Sequence, residues 1–316
     1  MTREKGSRRG PKLSRAANVD AGVTLLEHWM EDQVVAGLWR LREAAPEVLD
    51  MARRLQDHQA RGLSRRVRRL TEADGAELLG ELGELALLAY AWRHRSQLSA
   101  AERADVEAAV GLEQRREQAL AHDDRVRDRW LVLGQADAVD DEPGSRLTSR
   151  RTWLRGSNTG REALILQFSA KDQPFDWSAN PGELRELQLA FWPSAWPLRA
   201  LIQEEHGPLG TTAEPPPGFP DLDALLDHHA SVLAAAPWTP RVGVVLRALR
   251  AAPLPTRGSK SAVLVDRMGR SLPVISSSAW SLLALSGGWP IDLVAEWDGD
   301  ALHPLAAWVE GGWIPC

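Results

Sequence analysis

Thr152-Trp-Leu-Arg-Gly-Ser-Asn-Thr-Gly-Arg-Glu-Ala-Leu-Ile-Leu166 decides how the larger part of this chain is read. Gly156 and Gly160 invite a phosphate-loop reading, but no Lys-Ser or Lys-Thr pair follows at the spacing such a loop needs. The residues after Arg161 read as strand, where a phosphate-binding helix would have to begin. The stretch is therefore strand, tight turn, strand. Ala262-Val-Leu-Val-Asp-Arg-Met-Gly-Arg-Ser-Leu-Pro-Val-Ile275 has the same form, and both turns end in Gly-Arg, at 160–161 and 269–270. An internal duplication would account for the likeness.

Working outward, Trp130 to Gly134 and Leu184 to Phe191 join the first hairpin, and Val242 to Leu249, Ile291 to Trp297 and Leu302 to Val309 join the second. Asp298-Gly299 predicts a two-residue type I′ turn between the last two strands. Between the β regions, Thr211 to Pro220 contains Pro215, Pro216 and Pro217 in a row and reads as a stiff linker. It leads into a helix over Asp221 to Ala235 with an acidic start. Ala279 to Leu285 fits a short helix.

The N-terminal third has helical periodicity. Leu26, Met30, Val34, Leu38 and Leu41 fall on one face of a helix beginning at residue 23. Pro46 opens a second helix with Val48, Met51, Leu55, Leu63, Val67 and Leu70 on one side. A third runs from Ala76 to Arg95, and a fourth from the capping pair Ser99 and Glu102 to Ala121. Four such helices predict an antiparallel bundle. The expected organisation is α+β: a basic disordered tail over 1–22, a helical domain over 23–125, and a Trp-rich, mostly antiparallel β domain over 126–316. Within the last, 126–210 and 238–310 are β regions joined by the Pro-rich linker and the 221–235 helix.

Composition narrows the function. The 316 residues carry a formal charge of −5, which argues against a strongly basic nucleic-acid binder. The one cysteine is Cys316, so neither an intrachain disulfide nor a Cys-based zinc site is available. No apolar run is long enough to span a membrane, and the polar start lacks a signal-peptide core, so a cytosolic protein is expected. Asp223, Asp227 and His228 could share a helix face as metal ligands, but a polar face capped by acids is the simpler reading. No GxSxG elbow is present, Ser276 to Ser278 read as a helix cap, and His28, His94, His206 and His303 are scattered, so a hydrolase ranks last. No catalytic residue and no cofactor is assigned. The second helix carries Arg53, Arg54, Arg61, Arg65, Arg66, Arg68 and Arg69 against Asp57, and these are the candidate contacts to a partner protein or to nucleic acid. Eleven of the 14 tryptophans fall in the β part, beside Pro, Leu and Ala, the company of core anchors rather than of a stacking platform.

Several motifs carry a resemblance: Met51-Ala-Arg-Arg-Leu-Gln-Asp-His-Gln-Ala-Arg-Gly-Leu63, Val126-Arg-Asp-Arg-Trp-Leu-Val-Leu-Gly134, Gly160-Arg-Glu-Ala-Leu-Ile-Leu-Gln-Phe168 and Phe191-Trp-Pro-Ser-Ala-Trp-Pro-Leu-Arg-Ala-Leu201. Leu283-Ala-Leu-Ser-Gly-Gly288, Ala295-Glu-Trp-Asp-Gly299 and Leu302-His-Pro-Leu305 continue it. Together they resemble the region following the zinc finger in bacterial SWIM zinc finger family proteins, over about residues 23 to 310. The family's CxC…CxH zinc motif is absent, so no zinc ligand carries over; a finger-less paralogue, or a start upstream of Met1, is expected. The resemblance implies a non-enzymatic interaction or scaffold role in a cytosolic bacterial complex with a MoxR-type AAA+ ATPase and a von Willebrand A domain protein. Nucleic-acid binding through the basic tail and the arginine-rich helix is the alternative.

Overall fold

The computed structural model describes residues 14–316 apart from 74, 113, 115, 140–146, 171–172, 213, 216 and 254–261. The chain divides into two compact units, Met1–Gln114 and Arg115–Cys316. The first is helical: α1 (Arg15–Ala36), α2 (Ala45–Asp57), α3 (Arg61–Arg69), α4 (Gly75–Arg93) and α5 (Ala100–Val110). Its core is Val19, Val23, Leu26, Val48, Met51, Leu55, Leu63, Val67, Leu85, Leu88, Trp92, Val106 and Val110, all buried.

Four expectations shift. Helix α1 starts at Arg15, capped by the Ser14 hydroxyl, rather than at residue 23; residues 1–13 of the expected tail lie outside the described residues. The reason is that Val19 is buried and Asp20 accepts from the Trp92 indole N–H at 2.8 Å and pairs with Arg95 at 3.1 Å. On α1, Val34 points to solvent, because the core face runs through Val19, Val23 and Leu26 instead. The second helix is two, α2 and α3, broken at Gln59, whose φ of +62° is left-handed. The fourth helix stops at Val110, where Gly111 (φ +102°) forms a left-handed cap on α5.

That cap abuts the start of α3. A Cβ on Gly62 would sit 2.1 Å from the Ala109 carbonyl oxygen, and one on Gly111 would sit 2.2 Å from the Gly62 nitrogen. The carbonyl end of one helix thus meets the N–H end of another, a favourable alignment of helix dipoles that only two glycines permit.

The second unit holds α6 (Arg116–Ala121), five strands β1 (Arg125–Val139), β2 (Leu147–Gly156), β3 (Glu162–Ala170), β4 (Glu183–Phe191) and β5 (Arg199–Thr211), the inserted helix α7 (Leu222–Ala235), then β6 (Val242–Pro253), β7 (Ala262–Val265), β8 (Ser271–Val274), α8 (Ser276–Ser286), β9 (Ile291–Trp297), β10 (Leu302–Val309) and β11 (Gly312–Pro315). Strands β5 and β11 were not anticipated. The first five strands close into a barrel in the order β1-β2-β3-β5-β4, antiparallel except for β3 beside β5. The second set pairs as β6–β7, β7–β8, β8–β10, β10–β9 and β9–β6, with only β8 and β10 parallel. The two rings have the same order and the same senses, a small Greek-key barrel in each case. The two similar hairpins, β2–β3 and β7–β8, occupy equivalent places, as a duplication requires. Each turn is held by a carboxylate: Asp128 accepts from the Asn158 and Thr159 amides, and Asp266 from those of Met268 and Arg270. The Asp298-Gly299 turn is longer than the expected type I′ form. It spans 298–301, has positive φ only at Gly299, and is closed by the Asp298 carboxylate accepting from the amides of Asp300 and Ala301.

Trp130, Val132, Leu154, Ile165, Leu187, Leu189 and Phe191 fill the first barrel. Alternate residues on its outer side, Leu131, Leu133 and Trp153, belong to the hydrophobic cluster of the second barrel and α7. Five indoles, Trp92, Trp130, Trp153, Trp192 and Trp297, are buried, and the half-buried Trp177, Trp196 and Trp313 pack against the two barrel clusters, whereas Trp39, Trp280 and Trp289 stand among the exposed large apolar residues.

Gly62→Ala is expected to destabilise the helical unit by about 1–3 kcal/mol through overpacking, read from urea denaturation followed by circular dichroism. Gly80→Ala, at an open helical position, should be neutral or stabilising by up to about 1 kcal/mol.

Candidate functional site

The arginine cluster splits between α2 and α3, and its members differ. Arg53 and Arg54 both pair with Asp50 on their own helix, at 3.6 and 3.0 Å. Arg66 and Arg69 reach across to Glu84 and Glu81 of α4, at 2.7 and 3.6 Å, and Arg68 lies 3.4 Å from the Gln56 side-chain oxygen. Burial, and then the neighbouring Arg69, draw the Arg66 guanidinium below its ordinary value against the pull of Glu84. Five of the seven are thus engaged, and three of them, Arg66, Arg68 and Arg69, link one helix to another. Arg61 and Arg65, one turn apart on α3, are exposed and have no acidic partner among the described residues.

Arg53 and Arg54 also line a cleft of about 490 Å³ between α1 and α2, together with Trp29, Gln33, Pro46, Glu47, Asp50 and Met51. An indole and a thioether lie within a polar rim of both signs. Sequence periodicity hid this cleft, since it put Arg53 and Arg54 on one unbroken helix face and left Trp29 unassigned. Nearby in sequence, Val34, Val35 and Trp39 are 65, 89 and 67% exposed.

In the second unit the titratable groups serve the framework. Asp223 pairs with Arg270, and His228 turns toward Glu162 of β3, so the imagined metal face of Asp223, Asp227 and His228 does not assemble. Among the described residues no three His, Cys, Asp or Glu side chains converge. His206 faces Glu204 and His303 pairs with Asp298, while in the helical unit His94 packs on Tyr90. The side chains of Ser276 to Ser278 lie outside the described ones.

One pair was missed by sequence reasoning. The His228 Nε2 is buried without a hydrogen-bond partner, 3.8 Å from the Glu162 carboxylate and flanked by the rings of Trp196 and Phe219. Burial raises the Glu162 carboxyl above its ordinary value, against Arg155; burial, then Arg155 and His229, lower His228. The signal lay in the opening hairpin, where Arg155 and Glu162 are cross-strand partners. Such a pair can hold a proton, but no Ser, Thr or Cys hydrogen bonds to either member among the described residues.

Because the folded Glu162 holds its proton more tightly than the unfolded chain does, its contribution to stability is complete below the ordinary carboxyl value of 4.5 and is lost as pH rises through the raised one. Glu162→Gln should match the wild type in urea denaturation at about pH 4 and exceed it at about pH 8. Equal deficits at both would contradict this assignment.

No curated protein and no solved structure matches the chain. Residues 14–110 match the family model of the SWIM-associated four-helix bundle domain, the four helices being α1, the broken pair α2 and α3, α4 and α5. Over residues 14–110 the helical unit is thus similar to the SWIM-associated four-helix bundle domain, consistent with the C-terminal region of a SWIM-family protein.

Proposed function

We propose that the chain is a non-enzymatic interaction module of a cytosolic bacterial complex, with the helical unit as the part that receives a protein partner. The observation that carries this reading is the cleft between α1 and α2, where Trp29 and Met51 lie inside a rim of Glu47, Asp50, Arg53 and Arg54. Interface energy concentrates on aromatic anchors in pockets rimmed by polar groups, and thioethers adapt to varied partners. The resemblance to SWIM zinc finger proteins supplies the partner class, a MoxR-type AAA+ ATPase together with a von Willebrand A domain protein.

Recovery of such a partner by the tagged full chain from its native host is the expected result. Combining Glu47→Lys with Arg53→Glu should lower that recovery at least about tenfold, the size of a lost interface contact, with the helical circular dichroism unchanged. Recovery of neither partner, or equal recovery by the variant, would contradict the proposal.

A second reading, nucleic-acid binding, is favoured by one observation, the exposed and acid-free pair Arg61 and Arg65. It requires an affinity for a duplex oligonucleotide that falls steeply with salt and falls again in Arg61→Ala with Arg65→Ala. An affinity indifferent to both rules it out.

A further inference from the structure

Four guanidinium groups lie over aromatic rings among the described residues, and three of them carry a carboxylate counter-ion. Arg95 covers Trp92 at 4.1 Å and pairs with Asp20; Arg150 covers Phe175 at 4.1 Å and pairs with Asp137; Arg161 covers Phe191 at 3.8 Å and pairs with Asp124. The fourth is different. Arg199 covers Trp192 at 4.8 Å, and its guanidinium has neither a hydrogen bond nor an ion pair. Burial alone draws its pKa below the ordinary value, with no neighbouring acid to raise it.

The strands dictate that these two side chains meet. Phe191 of β4 and Ala200 of β5 are register partners that point into the first barrel. One step further, the Trp192 amide donates to the Arg199 carbonyl at 2.9 Å, closing the segment 193–198 into a loop. Alternation then places the Trp192 and Arg199 side chains together on the outer face. Trp192 is only 4% exposed, yet its indole N–H has no acceptor.

Both groups are donors and nothing else: five N–H on the guanidinium and one on the indole. A buried indole donor without an acceptor is a costly arrangement that native structures resolve with a partner, and the half-buried guanidinium beside it has no anion. We propose that Trp192 and Arg199 form an oxyanion site, in which the planar guanidinium takes oxygens of a carboxylate or phosphate group and the indole N–H takes another.

The full chain, titrated separately with inorganic phosphate and with acetate at an ionic strength held constant with chloride, tests this. One indole N–H resonance, identified as the one missing from Trp192→Phe, should shift saturably, and the Tm should rise with the same midpoint. Arg199→Gln should abolish both effects. Trp192→Phe, which keeps a ring beneath the guanidinium and removes only the N–H, should weaken the midpoint several-fold. Saturation by acetate alone identifies a carboxylate as the ligand group, as on a protein chain; saturation by phosphate alone identifies free or esterified phosphate. No saturable effect of either anion, or an effect that survives Arg199→Gln, overturns the proposal and leaves the pair as a stacking contact.

Discussion

The second unit depends on one buried carboxylate. Glu296 of β9 is completely buried and accepts from Arg151 Nε at 2.6 Å and Nη2 at 2.9 Å, from the Trp153 indole at 2.9 Å and from Arg241 Nη1 at 2.9 Å. Burial pushes its pKa up, but the donated hydrogen bonds, Arg151 foremost, outweigh that and hold it below the ordinary carboxylate value. Two of the donor residues belong to β2 of the first barrel and the acceptor to the second, so the ion pair fastens one barrel to the other. A buried ion pair is worth keeping only when every lone pair is satisfied, and here four donors satisfy one carboxylate. Packing follows from the same placement. The Trp153 ring presses on Gly243, where a Cβ would sit 2.4 Å from the indole. One hydrophobic cluster therefore runs from Leu131, Leu133 and Trp153 into the second barrel.

That geometry limits what the β unit does. The outer face of β1 and β2 in the first barrel is spent on the second barrel and is closed to ligands. The matching strand orders of the two barrels carry no activity by themselves, since function resides in sites and not in folds. What remains open is local: the Trp192 and Arg199 pair on the first barrel and, on the helical unit, the cleft containing Trp29 and Met51.

Much of the architecture was legible because it is written in local patterns. The hairpins at 152–166 and 262–275 showed themselves through turn glycines between apolar runs, and the capping pair Ser99 and Glu102 gave the start of α5, where both reciprocal hydrogen bonds form. The failures have physical causes. Strand β5 was missed because its outer half, Glu204-Glu205-His206-Gly207-Pro208, contacts only β4 through a ladder with three register shifts, so no alternating pattern is imposed on it. The break between α2 and α3 falls at Gln59, with no Gly or Pro to announce it, and the apolar spacing from Leu55 to Leu63 runs straight across. Asp20 looked like tail because its partners, Trp92 and Arg95, lie more than seventy residues away. Arg66 and Arg69 looked like part of a free cationic face because the acids that pair with them, Glu84 and Glu81, belong to the next long helix.

The central claim is that Glu296 holds the barrels together as an ionised acceptor. Urea denaturation across pH, comparing the wild type with Glu296→Gln, tests it most directly. With a folded pKa below the unfolded one, the carboxylate contributes stability that is complete above the ordinary value of 4.5 and is lost as pH falls through the lowered value. Near neutral pH the variant should be less stable by up to about 3–5 kcal/mol, the cost of breaking a buried ion pair by removing one partner, here leaving two half-buried guanidinium groups without their counter-ion, and the gap should close on acidification. Curves that run parallel from neutral to acid pH, or a variant as stable as the wild type at neutral pH, would contradict the account.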